Sequence, residues 1–152
     1  MTVRTLVDTN VLIYSYDRAD PVKQQQALAL LDQLTRNGAG ALSTQILGEF
    51  VVTVTRKPSV PLPLQGALDE AGRYLKTWTV FDVTKAVVEE ALRGVRAHHL
   101  NYWDAQIWAV ARLHAIPVIL SEDFSHGAVL EGVHFINPLQ PGFRVPDLIK
   151  ST

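Results

Sequence analysis

The sequence predicts an α/β fold around a mainly parallel central sheet. Short apolar stretches alternate along the chain with longer stretches in which apolar residues recur at helical spacing. Such alternation is typical of βαβ units, in which each helix carries the chain back to begin the next parallel strand. Residues 117–120 are almost continuously apolar, as expected of a strand that helices cover on both faces.

Length and composition predict a single domain. The chain has 152 residues, of which 47% are hydrophobic and 19% charged, a balance that supports a folded core rather than disorder. We assign this domain to residues 1–137. Residues 138–152, which include Pro138, Pro141 and Pro146, are predicted to form an irregular tail that packs on the domain or extends from it.

Composition also excludes several classes of function. The chain has no cysteine, so disulfides, thiol nucleophiles and cysteine-ligated metals are excluded. Its beginning lacks the pattern of a signal peptide, and no apolar run approaches the ~20 residues of a membrane span. We therefore expect a cytoplasmic protein without a membrane partner. The net charge of −1 provides no overall basic field for tight non-specific binding of nucleic acid, although a local basic rim remains possible.

The first half of the chain is predicted to hold two strands and three helices. Asp20 followed by Pro21 marks one helix start, because Asp caps free backbone N–H groups and Pro fits the first turn. Ser43 or Thr44 can cap the next helix, which the Pro-rich loop at 58–63 ends. In order, we predict a strand at 3–7, a short helix at 11–14, a helix from 21 to about 37, a strand at 41–43 and a helix that follows it directly.

The second half is predicted to hold three helices and three strands. Thr84 opens one helix and Asn101 caps another. The helix after Thr84 should pack one apolar face on the sheet, formed by Val87, Val88, Ala91, Leu92 and Val95. In order, we predict a helix at about 64–78, a strand at 80–83, helices at 85–99 and 102–114, and strands at 117–120 and 133–136.

Asp8 is the first candidate for a functional carboxylate. It ends the first predicted strand and directly precedes a short apolar helix. Ligands of parallel α/β sheets bind at the carboxyl ends of the strands, which is where Asp8 would lie. Asp is also a preferred helix cap, so a purely structural role is equally consistent with the pattern.

Two further acids are predicted to lie at the same edge of the sheet. Asp123 follows the apolar strand at 117–120. Asp104 lies in the first turn of the helix at 102–114, which a short link connects to that strand, so its first turn lies roughly 18 Å back towards the carboxyl edge. The structural alternatives are a capping-box acid for Asp104 and a turn residue for Asp123.

Glu49 is a candidate that periodicity does not support. It lies off the apolar stripe of its helix, and by pattern alone it is a solvated residue; the stripe consists of Leu47, Phe50, Val51 and Val54. If Glu49 nevertheless converged with the three aspartates, their mutual repulsion would raise pKa values unless cations bound. Carboxylate oxygens suit Mg²⁺ or Mn²⁺, which support phosphodiester hydrolysis by lowering the pKa of a bound water.

Four segments resemble the PIN-domain family, and within it the ribonuclease toxins of VapC type. They are LVDTNVLIY at 6–14, ILGEF at 46–50, NYWDAQIWAVA at 101–111 and ILSEDF at 119–124. Their order and spacing match the family across nearly the whole chain. The resemblance implies a PIN-like fold, which is a three-layer α/β/α sandwich with a mainly parallel central sheet. It also implies an Mg²⁺- or Mn²⁺-dependent endoribonuclease that hydrolyses RNA. It further implies the toxin of a type II toxin–antitoxin pair, frequently a homodimer that an antitoxin protein neutralises.

The resemblance also assigns roles to individual residues. The catalytic and metal-binding acids it implies are Asp8, Glu49, Asp104 and Asp123, and the supporting residues are Thr9, Asn10 and Ser121. Glu122 is an additional acid beside the fourth position. We favour Asp123 for the site, because Ser121 and Asp123 point to one side of an extended chain and Glu122 to the other.

Other functions remain as alternatives. A free-standing PIN nuclease in RNA processing and a non-catalytic binding module share the same fold. A phosphotransfer receiver or an aspartate-nucleophile phosphatase fits poorly, since Asn10 stands where the phosphatase would need a second Asp. The five histidines show no H-E-x-x-H spacing, although His126 is close enough to Asp123 in sequence to lie at the rim of the site. Trp103, beside Asp104, is the tryptophan to examine as a base-stacking residue.

Overall fold

A computed structural model describes residues 3–57 and 62–144 and confirms the predicted α/β fold with a mainly parallel central sheet. The strands are β1 (Thr5–Val7), β2 (Gly40–Ser43), β3 (Thr79–Phe81), β4 (Val118–Leu120), β5 (Val129–Leu130) and β6 (Val133–Ile136). The helices are α1 (Thr9–Tyr14), α2 (Pro21–Arg36), α3 (Thr44–Val54), α4 (Leu64–Thr77), α5 (Lys85–His98) and α6 (Tyr102–Leu113). Within the described ranges, no helix is both long enough and apolar enough to cross a bilayer.

The strand order places β1 and β4 side by side in the middle of the sheet. The full order is β3-β2-β1-β4-β6-β5, and all neighbours are parallel except β5 and β6. From β1 the chain adds β2 and β3 on one side, then crosses to add β4 on the other. This reversal is a topological switch point, where the loops after two adjacent strands diverge and leave a crevice.

Local capping explains where the helices begin. The side chains of Ser43, Thr84 and Asn101 each accept a hydrogen bond from the backbone N–H three residues further on. Asp20 caps α2 in the same way, with Pro21 in the first turn. These contacts depend only on neighbouring residues, and each predicted cap is confirmed.

The core fills both faces of the sheet. Every residue of β1, β2 and β4 is buried, which confirms that the strand after Pro117 is covered on both faces. Trp108 of α6 is fully buried and packs against Gly94 of α5, where a Cβ atom would lie only 2.8 Å from the indole ring. The two helices therefore approach each other closely beneath the sheet.

A group of charged side chains fixes the turn between β5 and β6 against α5. Glu131 lies in this turn with a φ of 49°, and its carboxylate accepts hydrogen bonds from Arg93 at 2.9 Å and contacts His98 at 2.7 Å. These two partners hold the pKa of Glu131 down at about 2. Trp108 Nε1 donates to the carbonyl of Leu130 at 3.2 Å, so the turn also contacts α6.

Several predictions about individual elements were wrong. The strand expected at 80–83 is Thr79–Phe81, and the first strand begins at Thr5 rather than at residue 3. Leu92, expected on the packed face of α5, is 51% exposed, and Gly94 takes part in the packing instead. The two-residue strand β5 was not predicted.

The proline-rich segments are only partly described. Helix α3 ends at Val54, before the first proline of the loop. Residues 58–61 and 145–152 lie outside the described residues, as do the predictions that fall on them. Residues 138–144 form no helix or strand.

Candidate active site

A cavity of about 350 Å³ opens at the carboxyl ends of β1 and β4, the switch point of the sheet. The four acids singled out from the sequence (Asp8, Glu49, Asp104 and Asp123) all line it. A larger cavity of about 460 Å³ lies near the start of the tail and is lined by no carboxylate. His126, which lies close to Asp123 in sequence, lines that second cavity and is not among the residues that line the acid cavity.

Asp8 is both a helix cap and a wall of the cavity. It is 4% exposed, and its Oδ1 accepts the backbone N–H of Thr9 at 2.7 Å. Its Oδ2 accepts the hydroxyl of Ser121 at 2.7 Å. Burial raises the pKa of Asp8 to about 6, these two hydrogen bonds oppose the increase, and the charges of Asp123 and Glu49 add to it. The structural and functional interpretations of Asp8 are therefore compatible.

Asn10 and Ser121 connect the loops that follow β1 and β4. Asn10 Nδ2 donates to Ser121 Oγ at 3.1 Å and lies 3.4 Å from Oδ2 of Asp8. Asn10 Oδ1 accepts the N–H of Glu122 at 3.3 Å, and Ser121 Oγ accepts the N–H of Asp123 at 3.1 Å. These contacts fix the backbone on both sides of the crevice.

Glu49 lies in the cavity wall rather than in open solvent, which corrects the interpretation based on periodicity alone. Its Oε2 accepts the hydroxyl of Thr9 at 3.1 Å, and its Oε1 accepts Nε2 of Gln45 at 3.0 Å. The stripe of α3 predicts only the face that packs on the core. Helix α1 contacts α3 and partly covers the face that carries Glu49.

Asp104 lies in the first turn of α6, as the length of the helix predicted. It is partly buried and contacts its capping residue Asn101 through both its backbone N–H and its carboxylate. Burial raises the pKa of Asp104, the hydrogen bond from Asn101 lowers it, and the charges of Asp123 and Glu49 raise it further. The carboxylate of Asp104 thus contacts the side chain of the residue that caps its helix, and it also lies close enough to feel the charges of Asp123 and Glu49.

The two neighbouring acids after β4 have different partners. Glu122 forms an ion pair with Lys23 at 3.3 Å. Asp123 is exposed at the mouth of the cavity, and the charge of its carboxylate acts on both Asp8 and Asp104. Both residues line the cavity, but the carboxylate of Glu122 is already paired with a cation.

Gln45 and Lys57 also line the cavity and were not included among the predicted site residues. Gln45 precedes Glu49 by four residues on α3, a spacing that places the two side chains on one helix face and could have suggested the contact. The Nζ of Lys57 lies 5.4 Å from the centre of the Tyr14 ring. No local pattern predicts that Lys57 faces this cavity.

The donor set fits a hard, hydrated cation. Within residues 3–57 and 62–144, no three Asp, Glu or His side chains converge closely enough to chelate an ion by themselves. Mg²⁺ retains several of its waters in proteins and needs only one or two direct carboxylate ligands. The charges of Asp123 and Glu49 raise the pKa values of Asp8 and Asp104 around this open cavity, and a bound cation would relieve that repulsion.

Comparison with family models gives a match to the PIN domain over residues 5–129. Comparison with curated proteins gives no match.

Solved structures with a similar fold include several toxin–antitoxin proteins. A toxin–antitoxin complex from Klebsiella pneumoniae is 19% identical with a TM-score of 0.61, over 88% of this chain and 97% of that chain. VapC20 from Mycobacterium tuberculosis, a sarcin–ricin-loop-cleaving toxin, is 21% identical with a TM-score of 0.59, over 76% and 86%. VapBC2 from Rickettsia felis, bound to a DNA fragment from its promoter, is 12% identical with a TM-score of 0.60, over 86% and 96%. At these identities the similarity shows a shared fold.

Proposed function

Because this chain belongs to the PIN-domain family, we propose that it is a metal-dependent endoribonuclease that hydrolyses RNA phosphodiester bonds. We further propose that it is the toxin of a type II toxin–antitoxin pair. The observation that carries the nuclease proposal is the position of four carboxylates around one cavity at the switch point of the sheet.

The acids that would hold Mg²⁺ or Mn²⁺ are Asp8, Glu49, Asp104 and Asp123. When bound, the ion supplies Lewis acidity, which lowers the pKa of water and offsets the negative charge of the scissile phosphate.

The other residues of the site position these acids. The hydroxyl of Ser121 and the N–H of Thr9 fix both oxygens of Asp8. Thr9 and Gln45 fix the two oxygens of Glu49. Since the carboxylates of Asp8 and Glu49 are held before substrate arrives, they need little reorganisation during the reaction. Lys57 supplies a positive charge at the edge of the cavity, where an RNA phosphate would enter.

The toxin role has separate support. Several solved proteins that share the fold are toxins or toxin–antitoxin complexes, so we propose that this chain also binds a small antitoxin protein and forms a homodimer. Co-expression with a small protein encoded immediately upstream should yield a complex that no longer cleaves RNA. RNA cleavage that continues in the presence of that protein would favour a free-standing nuclease in RNA processing. Sedimentation of the purified chain would test the homodimer.

The decisive experiment is RNA cleavage with added Mg²⁺ or Mn²⁺, compared with EDTA and with an Asp8→Asn variant. We expect cleavage only with the metal and the intact carboxylate. Glu49→Gln should lose activity while keeping the unfolding temperature of the wild type. Cleavage that survives both EDTA and Asp8→Asn would overturn the metal-nuclease proposal. If the protein bound RNA without added metal and did not cleave it, the result would support a non-catalytic binding module instead.

A further inference from the structure

We propose that Trp103 is a stacking platform for a nucleobase of single-stranded RNA, placed beside the carboxylates so that a neighbouring phosphate reaches them. This role presupposes the nuclease function proposed above and adds the contact that holds the strand.

Trp103 differs from the other tryptophans in its exposure. It is 61% exposed, whereas Trp78 is 7% exposed and Trp108 is fully buried. Trp103 lines the acid cavity, directly before Asp104 in the sequence. The other large apolar side chains that line this cavity, Ile13 and Ile107, are buried. Within the described part of the chain, the indole is therefore the exposed apolar surface at an otherwise charged and polar site.

Trp103 has one contact through its ring and one through its backbone. Its ring contacts the ring of Tyr102 in a T-shaped arrangement, with centroids 5.1 Å apart. Its backbone carbonyl accepts Nε2 of Gln45 at 3.3 Å, and the same Nε2 donates to Glu49 at 3.0 Å. One amide group thus ties the platform to a carboxylate of the site.

Further hydrogen bonds hold that amide. Gln106, which is 5% exposed, donates through Nε2 to Oε1 of Gln45 at 2.8 Å. The hydroxyl of Tyr102 donates to Oε1 of Gln106 at 2.7 Å. The chain Tyr102–Gln106–Gln45 therefore begins and ends beside Trp103. The backbone that carries the indole is therefore fixed before a ligand binds, which reduces the entropy lost on binding.

The surroundings favour a nucleobase over a protein partner. Protein hot spots lie in apolar patches that exclude water. Here the exposed ring lies at a cavity lined by carboxylates, with Lys57 lining the same cavity. An exposed ring and a cation around one cavity form a combination that binds single-stranded nucleic acid, where bases stack and the backbone meets positive charge. Bases in a duplex already stack on each other, so a single strand is the form that fits.

The first test measures binding without cleavage, in an Asp8→Asn background. The probe is a short fluorescent single-stranded RNA that spans a cleavage site mapped with the wild-type protein, and its affinity is read by anisotropy. We expect Trp103→Leu to weaken binding on the order of 10-fold, while Trp103→Phe keeps most of the affinity. Leu113→Ala, an exposed apolar residue at the other end of α6, is the matched control and should bind normally. Unfolding temperatures verify that each variant is folded.

The second test locates the stacked base. The probes are a series of the same RNA in which each member lacks a different base. For the Asp8→Asn protein with Trp103 intact, we expect one position at which loss of the base weakens binding about 10-fold. At that position Trp103→Leu should show no additional loss, because the stacking partner is already absent.

The outcomes separate this inference from the nuclease proposal. Normal RNA binding and cleavage by Trp103→Leu would overturn the stacking role and leave the nuclease standing. Additive losses from the missing base and the missing indole would also overturn it. Weakened capture of a co-expressed partner protein, with RNA binding unchanged, would assign Trp103 to protein docking instead. Failure of every variant, including the parent, to bind or cleave any RNA would overturn both.

Discussion

The hydroxyl of Ser121 donates a 2.7 Å hydrogen bond to Oδ2 of Asp8, and this bond spans the switch point between β1 and β4. Both side chains are buried, at 1% and 4% exposure. The bond stabilises the ionised form of a carboxylate that burial disfavours. Ser121 thereby keeps Asp8 available as an anion near neutral pH.

Ser121→Ala should move the acidic limb of the pH–activity profile to higher pH. Without the hydroxyl, the pKa of Asp8 rises further above about 6. A shift of about one pH unit corresponds to the loss of one hydrogen bond to a charged group. The measurement is kcat/KM against pH at fixed Mg²⁺. Ser121→Thr, which keeps a hydroxyl, is the control, and superimposable profiles for the alanine variant and the wild type would contradict the prediction.

Asp8→Asn should stabilise the metal-free protein at alkaline pH. The folded pKa of about 6 lies above the ordinary value of 3.8, so Asp8 favours folding below pH 3.8 and this contribution is lost as the pH rises through about 6. In EDTA at pH 8 the variant should gain up to about 3 kcal/mol in unfolding free energy. The gain should vanish towards pH 4. Denaturant unfolding of both proteins across this range is the measurement, and a gain independent of pH would contradict the assignment.

Gln45→Leu should lower kcat roughly 10- to 100-fold, because Glu49 loses the donor that orients its carboxylate. Combined with Glu49→Gln it should cause little further loss, since the two residues act as a unit. Gln65 makes the same four-residue contact with Asp69 on α4, at 2.9 Å and away from the cavity. Gln65→Leu is therefore the matched control. If the losses of kcat from Gln45→Leu and Glu49→Gln were fully additive in the double variant, Gln45 would not act by orienting the carboxylate of Glu49.

Lys57→Gln should weaken substrate binding and make it less sensitive to salt. Removal of one phosphate contact reduces the slope of log K against log salt by about 0.7 for single-stranded RNA. We expect KM to rise several-fold at low ionic strength with kcat nearly unchanged. Lys76→Gln, at the end of α4 and outside the acid cavity, is the control. If Lys57→Gln and the wild type showed equal slopes of log K against log salt, Lys57 would not contact the RNA backbone.

Gly94→Ala should destabilise the fold by about 1 kcal/mol. The new methyl group would overlap the Trp108 ring at 2.8 Å, and overpacking of this kind costs about 1–3 kcal/mol. The higher helix propensity of Ala offsets about 0.5–1 kcal/mol. Gly72→Ala on α4 meets nothing within 4 Å and should be neutral or stabilising. Denaturant unfolding of the two variants measures the difference, and equal effects would contradict close packing of α5 on α6.

The features that follow from neighbouring residues were predictable from the sequence. Asp20, Thr84 and Asn101 cap their helices by accepting a hydrogen bond from the backbone N–H three residues further on. Apolar runs identify the buried strands. Asp8 and Asp104 could be placed at one sheet edge, because strand direction and helix length fix their positions.

Features that depend on packing between distant elements were not predictable. The environment of Glu49 depends on the contact between α1 and α3, and the periodicity of α3 alone carries no information about that contact. Only the family resemblance suggested that Glu49 belongs to the site. The ion pair of Glu122 with Lys23 joins residues 99 positions apart. Strand β5 has only two residues, too few for an alternating pattern to be recognised.

The strands at the two margins of the sheet, β3 and β5, are three and two residues long. Such short margins present few unpaired backbone groups, so a strand of another molecule finds little to hydrogen-bond. Growth of the sheet from one molecule into the next, the route to fibres and to strand exchange, is thereby disfavoured. Exposed helix faces, such as that of α4, where Leu64, Leu68 and Leu75 are exposed, are better suited than these strand edges to association between copies of this chain.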